Sequence, residues 1–208
     1  MSAGEVKHAG INLGDSDEET HEQAEIGVSG FWVFLMSDAV IFALLFATYG
    51  VMLAGTAGGP TPAQEYKIVP AFIETLILLT SSVTFGMASV TMKHGGSQRR
   101  LLAWLAVTLL LGLAFLGMEL RDFHTMFADG ALPSRSGYLS SFFALVPLHG
   151  LHVAAGCLWL VVIMIQLPMF GRDERVKINL LRLGLFWHFL DIVWIAIFSV
   201  VYLQGLIR

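Results

Sequence analysis

Residues 142–167 read FFALVPLHGLHVAAGCLWLVVIMIQL, an apolar run long enough to cross a bilayer as one helix. The run carries two histidines, His149 and His152, which share a helix face because they lie three residues apart. An imidazole in hydrocarbon costs free energy unless another group pairs with it. The run therefore predicts a membrane span whose histidines bind a metal, conduct protons or hold helices together.

Four more apolar runs of similar length accompany this one. The chain has 208 residues, of which 56% are hydrophobic and 13% are charged. The five runs cover residues 30–53, 70–92, 101–120, 139–167 and 183–206. Since runs of about 18 or more apolar residues are typical of membrane helices, they predict a polytopic membrane protein. The predicted fold is all-α, with a single bundle of five transmembrane helices over residues 30–206.

The first 28 residues have a different composition. They contain seven acidic residues and one cation, Lys7. Such a segment buries too little apolar surface to fold, so we expect an acidic, disordered cytoplasmic tail over residues 1–28. It lacks the basic start and adjoining apolar core of a signal peptide. Cys157 is the single cysteine, and we expect it to pack in the core and to form no disulfide within the chain.

The basic residues of the short loops predict the orientation of the helices. With a cytoplasmic N-terminus, eight basic residues lie on the inner side: Lys7, Lys93, Arg99, Arg100, Arg172, Arg175, Lys177 and Arg182. Four lie on the outer side: Lys67, Arg121, Arg135 and Arg208. Because cytoplasmic loops are enriched in Lys and Arg, this asymmetry favours a cytoplasmic N-terminus and a periplasmic C-terminus.

Seven ionisable side chains lie inside the predicted spans: Asp38, Glu74, Glu119, His149, His152, His188 and Asp191. At a rise of about 1.5 Å per residue, three of them share an inner layer, namely Asp38, His188 and Asp191. By the same rise, Glu74 and Glu119 form an outer layer, and the two histidines of the fourth run lie nearer the middle. Buried polar groups of this kind mark either a proton or substrate path or a set of polar helix contacts.

The spacing of residues along each helix predicts which side chains pair and where helices pack closely. His188 and Asp191 lie three residues apart, so an imidazole stands beside a carboxylate on one face. We expect His188 or the Ser37 hydroxyl to hydrogen-bond one of the buried acids. Small residues four apart favour close helix approach, and they predict two seams, one at Ser82 and Gly86 and one at Gly150 and Ala154.

Four kinds of chemistry fit these side chains to different degrees. A bis-histidine haem needs ligands at equal depth on facing helices, whereas His149 and His152 share one helix. A metal centre is disfavoured because the chain has no HExxH motif, no repeated ExxH pair and no cysteine cluster. The structural interpretation is favoured over a proton or substrate path, which remains open. No phosphate-binding loop, dinucleotide fingerprint or nucleophile elbow is present, and no nucleic-acid partner is expected.

Five segments resemble, in order, successive helices of subunit III of the haem–copper oxidases. They are FWVFLMSDAVIFALLFATYG (31–50), PAFIETLILLTSS (70–82), GLAFLGMELRDFH (112–124), SGYLSSFFALVPLHGLHVAAG (136–156) and LFWHFLDIVWIAIFSVVYL (185–203). The HGLHV and WHFLDIVW motifs are the most specific. The resemblance covers residues 30–206. Five helices and the GTAGGPT loop after the first make the quinol-oxidase branch, the cytochrome-bo-type ubiquinol oxidases, look the most similar.

The resemblance implies a non-catalytic subunit of a terminal respiratory oxidase in a bacterial inner membrane. In this family, haem and copper belong to subunit I, so no cofactor or metal is expected in this chain. Subunit III packs on subunit I within a complex of subunits I, II and IV, and it binds phospholipid between helix groups. Asp38 falls where the family has a carbodiimide-reactive acid, which implies a support role in proton uptake. The alternatives are subunit III of a cytochrome c oxidase, or a small secondary transporter or assembly factor.

Overall fold

Five long helices make up most of the part of the chain that the structure describes. A computed structural model describes residues 18–53, 55, 68–171 and 173–203. The helices are α1 (Glu18–Met52), α2 (Ile68–Lys93), α3 (Gln98–Ala128), α4 (Gly137–Phe170) and α5 (Glu174–Ile197). All five are long and apolar enough to cross a membrane, which confirms the predicted all-α, multi-pass class. Two short elements flank α4 and α5, a 3₁₀ turn over Pro133–Arg135 and a π-helical turn over Phe198–Leu203.

The helices extend beyond the predicted apolar runs. They end where side chains or glycine conformations accommodate the unpaired backbone N–H and C=O groups of the terminal turns. The side chain of Ser97 caps α3 by accepting from the Arg100 N–H, and Ser136 caps α4 by accepting from the Leu139 N–H. Gly171 ends α4 with φ 69°, a conformation that glycine adopts without strain. Two prolines, Pro147 and Pro168, lie inside α4 without ending it, as transmembrane helices often tolerate.

The predicted boundary of the acidic tail is wrong in part. Helix α1 begins at Glu18, so residues 18–28 are helical and continue directly into the first span. Hydrophobicity marks where a helix enters lipid, whereas a helix in solvent continues as long as its backbone hydrogen bonds are favourable. Residues 1–17 lie outside the described part of the chain, and for them the disordered tail stays a prediction.

The helices alternate in direction around α4 and α5. Helix α4 packs against α1, α3 and α5, and α2 packs against α3 and α5. One end of the bundle therefore carries the start of α1, α3 and α5; we call it the basic end. The Gln98 side chain there donates to the Leu167 carbonyl at 2.7 Å, and the Arg182 guanidinium lies against Gly27. Exposed Lys93, Arg99 and Arg175 give this end its charge.

Two tryptophans of α5 form the centre of the bundle. Trp187 Nε1 donates to Ser81 Oγ at 3.0 Å, and Trp194 Nε1 donates to Thr75 Oγ1 at 3.0 Å. The tryptophans are seven residues apart, about two turns, so both face α2. Since lipid gives helices no hydrophobic drive to associate, such hydrogen bonds and close packing hold the bundle together.

Helix α1 lies at the periphery. In the most apolar 18 residues of the first span, 17% are buried inside the bundle, whereas 50% are buried in the corresponding segment of the span that contains α5. Its exposed side chains are large and apolar, among them Trp32, Val33 and Leu44. A face of this kind is suited to lipid or to another membrane-spanning chain.

Candidate functional site

Asp38 of α1 and His152 of α4 form a polar pair, in which Asp38 is buried and His152 is partly buried. Asp38 Oδ2 lies 3.6 Å from His152 Nε2, and the side chains are 11% and 21% exposed. The prediction that Asp38 belongs to a layer separate from His152 is therefore wrong. Counting residues from the end of each apolar run does not show how the two helices are shifted along each other, so it misjudges relative depth. Ser37 also differs from the prediction, because its hydroxyl donates to the Val33 carbonyl of its own helix at 3.0 Å.

A hydrogen bond within α4 orients the His152 ring. His152 Nδ1 lies 2.7 Å from the Leu148 carbonyl oxygen, which only accepts, so Nδ1 carries a hydrogen. Nε2 faces Asp38 Oδ2 at 3.6 Å, which is too long for a direct hydrogen bond. The pair is therefore a close polar contact that joins α1 to α4.

His188, Asp191 and Ser82 form a second polar group between α2 and α5. His188 Nδ1 lies 3.7 Å from Asp191 Oδ2, as the three-residue spacing predicted, and 2.7 Å from Ser82 Oγ. The His188 side chain is 49% exposed, whereas that of Asp191 is 7% exposed. The imidazole therefore stands at the bundle surface and covers a buried carboxyl.

Glu74 of α2 and Glu119 of α3 are buried toward the end opposite the basic end. They are 1% and 4% exposed. Glu74 interacts electrostatically with Glu119 and with Asp122, one turn further along α3. The carboxylate of Glu119 lies directly over Gly150 of α4, where a Cβ would come 2.8 Å from its Cδ atom.

Aromatic rings surround the His149 side chain. It is 0% exposed, in agreement with the predicted position at a helix seam. Its ring stacks on Trp194 at 5.3 Å and meets the edges of Phe115 at 5.9 Å and Phe42 at 6.4 Å. Neither ring nitrogen has a hydrogen-bond partner within the described ranges. His149 and His152 share a helix face, yet their ring nitrogens have different surroundings.

The predicted packing positions differ in what they contact. Gly150 makes the close approach that its size allows, against Glu119. Gly86 does not, because a Cβ there would meet no atom within 4 Å. Ser82 contacts His188 by its hydroxyl, and Ala154 is half-buried on α4. A four-residue spacing of small residues therefore located one tight contact and misplaced another.

Sequence reasoning missed a tight seam of the bundle around Trp187. A Cβ at Gly112 would lie 3.0 Å from Trp187, and one at Gly156 would lie 3.2 Å from it. Glycines on α3 and α4 thus make room for a tryptophan of α5, whose Nε1 binds Ser81 of α2. The available signal was the match between two tryptophans seven residues apart and two hydroxyl residues, Thr75 and Ser81, six apart.

The described side chains include no group of three His, Cys, Asp or Glu residues that could hold a metal ion. The polar groups occur instead as pairs and triads that join helices. Asp38 joins α1 to α4, Ser82 joins α2 to α5, and Glu119 joins α3 to α4. This arrangement suits polar contacts between helices.

Comparison with known proteins places the chain in one family. The family model described as cytochrome c oxidase subunit III matches residues 13–206. Over 193 residues the chain is 48% identical to cytochrome bo(3) ubiquinol oxidase subunit 3 of Pseudomonas aeruginosa, covering 93% of this chain and 92% of that protein. It is 40% identical over 196 residues to quinol oxidase subunit 3 of Bacillus subtilis, covering 93% and 96%.

A third relative carries a different name. Cytochrome c oxidase subunit 3 of Alkalihalophilus pseudofirmus is 41% identical over 177 residues, covering 85% of each chain. The residues matched by the family model include the five helices and both histidine motifs. The chain therefore belongs to the cytochrome c oxidase subunit III family.

Proposed function

We propose that this chain is the non-catalytic subunit III of a terminal respiratory quinol oxidase. The observation that carries the proposal is 48% identity, over 93% of the chain, to a protein named cytochrome bo(3) ubiquinol oxidase subunit 3. The complex would oxidise quinol, reduce oxygen to water and pump protons. Haem and copper would belong to subunit I, and this chain would carry no catalytic centre.

The role proposed for the chain is support of its neighbours. Its partners would be subunits I, II and IV and membrane phospholipid, in a bacterial inner membrane. The exposed apolar face of α1, with Trp32 and Leu44, supports contact with lipid or with a neighbouring subunit. The Asp38–His152 pair places a carboxyl beside an imidazole inside the membrane, which supports a further role near the proton uptake path of the complex.

Purification in mild detergent tests this function. The chain is expected to co-purify with a haem-containing subunit I, and the complex is expected to oxidise ubiquinol and leave reduced cytochrome c unoxidised. Oxidation of cytochrome c would place the chain in the cytochrome c oxidase branch, the second candidate, which the Alkalihalophilus pseudofirmus relative favours. A chain that purifies alone, with no haem-containing partner, would contradict both.

The N-terminus is proposed to be cytoplasmic, because the basic end would then face the cytoplasm. Lys93 and Asp129 are both exposed and lie beyond opposite ends of the spans. We expect Asp129→Cys to react with a membrane-impermeant maleimide in intact spheroplasts, and Lys93→Cys to react only in inverted vesicles. Cys157 is buried and gives a low background. The reverse labelling pattern would overturn the orientation.

Substitution of either histidine of α4 is expected to spare the redox centres. His149→Leu and His152→Leu should leave the haem spectrum of the complex unchanged, since the haems would lie in another chain. An interhelical polar contact in a membrane contributes about 0.6 to 2 kcal/mol, so His152→Leu should weaken subunit retention modestly. Haem content, subunit III retention and sustained turnover are measured on each purified complex. Loss of haem with subunit III still bound would reopen a ligand role for these residues.

A further inference from the structure

Three deeply buried side chains near the end opposite the basic end have polar atoms without partners. Glu74 is 1% exposed, Glu119 is 4% exposed and His149 is 0% exposed. Among the described residues, no hydrogen-bond partner reaches Oε1 of Glu74, Oε1 of Glu119 or either ring nitrogen of His149. Nearly all buried polar atoms in proteins bind another protein group or an ordered water. These four atoms therefore point to a bound polar ligand.

Contacts between neighbouring residues bring the three side chains into one region of the bundle. Trp194 stacks on His149 and donates to Thr75, the residue after Glu74. Phe115, one turn before Glu119, contacts His149 at 5.9 Å and Trp194 at 4.7 Å.

The Glu119 carboxylate belongs to the same region. It lies over Gly150, which directly follows His149 in α4. Helices α2, α3, α4 and α5 thus converge on one polar region enclosed by aromatic rings.

The charges around this region are of one kind. The groups that act on Glu74 are Asp122 and Glu119, both acids. Tyr202, on the π-helical turn, interacts with these three acids and with Tyr138. A carboxyl in a membrane interior is costly without polar partners, so the buried Glu74 and Glu119 need donors if they are ionised and an acceptor if they are protonated. A protonated carboxyl adds a donor that itself needs an acceptor.

We propose that Glu74, Glu119 and His149 bind a small cluster of water molecules through which the two carboxyls exchange protons. Water suits these atoms because each molecule offers two donors and two acceptors, and buried waters typically make about three hydrogen bonds. In each exchange step a protonated carboxyl donates its proton to one water while its other oxygen accepts a proton from the cluster, so each carboxyl stays neutral and charge is conserved. The site is distinct from the Asp38–His152 pair, in which His152 Nδ1 binds the Leu148 carbonyl and Nε2 faces Asp38 at 3.6 Å. It does not depend on which oxidase branch the chain serves.

Infrared spectroscopy of the purified complex in H₂O and D₂O tests the exchange. The carbonyl stretch of protonated carboxyls should move to lower frequency in D₂O, and Glu74→Gln and Glu119→Gln should each remove part of this D₂O-sensitive band. Asp129→Asn is the matched control, because Asp129 is an exposed acid at the end of α3 and should leave the band intact. A band unchanged in both glutamine variants would overturn the proposal.

A cryo-EM map that resolves water elsewhere in the complex tests the cluster on the unaltered chain. Density for at least one water is expected within hydrogen-bond distance of a His149 nitrogen and a carboxyl oxygen of Glu119 or Glu74. A dry region, or carboxyls bonded directly to His149, would overturn the proposal. This measurement decides the question if the glutamine variants do not assemble.

Discussion

Gly150→Leu is expected to release the chain from its complex in mild detergent, and to do so far more completely than substitution of either neighbouring histidine. A Cβ at position 150 would lie 2.8 Å from both Cδ and Oε1 of Glu119, closer than side-chain atoms approach. The leucine must push α3 away from α4 or expel the Glu119 carboxyl from its buried position. Overpacking of a core typically costs about 1–3 kcal/mol, and a displaced buried acid places this site at the upper end.

The control for this substitution is Gly86→Leu. It makes the same chemical change inside a membrane helix, where a Cβ would meet no atom within 4 Å. Subunit retention and thermal unfolding of the purified complex are compared for the two variants, with Gly150→Ala expected between them. Equal retention of Gly150→Leu and Gly86→Leu would show that the contact between Glu119 and Gly150 does not hold the helices.

The class of fold was predictable because membrane burial leaves a simple signal. A run of apolar residues of span length has few structures available in lipid, where every backbone polar group must be paired within a helix or a closed barrel. The five runs therefore predicted five helices. Helix ends were not predictable in the same way. Helix α3 continues to Ala128, past the apolar run that ends at residue 120, because solvent also permits a capped helix.

The polar contacts divide into local and long-range ones. The pairing of His188 with Asp191 follows from a three-residue spacing on one helix, and sequence alone predicted it. The pairing of Asp38 with His152 joins α1 to α4, and its depth depends on how the two helices shift and tilt. Spacing along the chain carries no information on that shift. A small residue likewise permits a close approach without specifying it, as the contrast between Gly150 and Gly86 shows.

Trp187→Ala is expected to be the most destabilising single substitution to smaller size in the bundle. The ring is 1% exposed, stacks on Phe85 at 6.3 Å and fills the space left by Gly112 and Gly156. Its removal opens a cavity where α2, α3, α4 and α5 meet, and substitution of a buried tryptophan by alanine costs roughly 3–5 kcal/mol. The Ser81 hydroxyl also loses the N–H that it accepts, although it still donates to the Leu78 carbonyl at 2.6 Å.

Two further variants separate the ring volume from the hydrogen bond. Trp187→Phe removes the N–H and keeps much of the ring, and Ser81→Ala removes the acceptor alone. Since interhelical hydrogen bonds in membranes contribute about 0.6 kcal/mol on average, Ser81→Ala should cost far less than Trp187→Ala. The free energy of unfolding is measured by denaturing-detergent titration of the full chain, with Trp32→Ala on the exposed face of α1 as control.

The comparison with Trp32 decides what holds α5 at the centre of the bundle. Trp32 is 47% exposed, so its removal opens no cavity inside the chain and should change the free energy of unfolding little. If Trp187→Ala and Trp32→Ala cost the same, packing around Trp187 would not stabilise the bundle. If Ser81→Ala instead matched the loss of the whole ring, the hydrogen bond would be the main contact and the glycines on α3 and α4 would merely permit it. We expect neither, because a tryptophan in contact with two glycines and a stacked phenylalanine makes many dispersion contacts and one hydrogen bond.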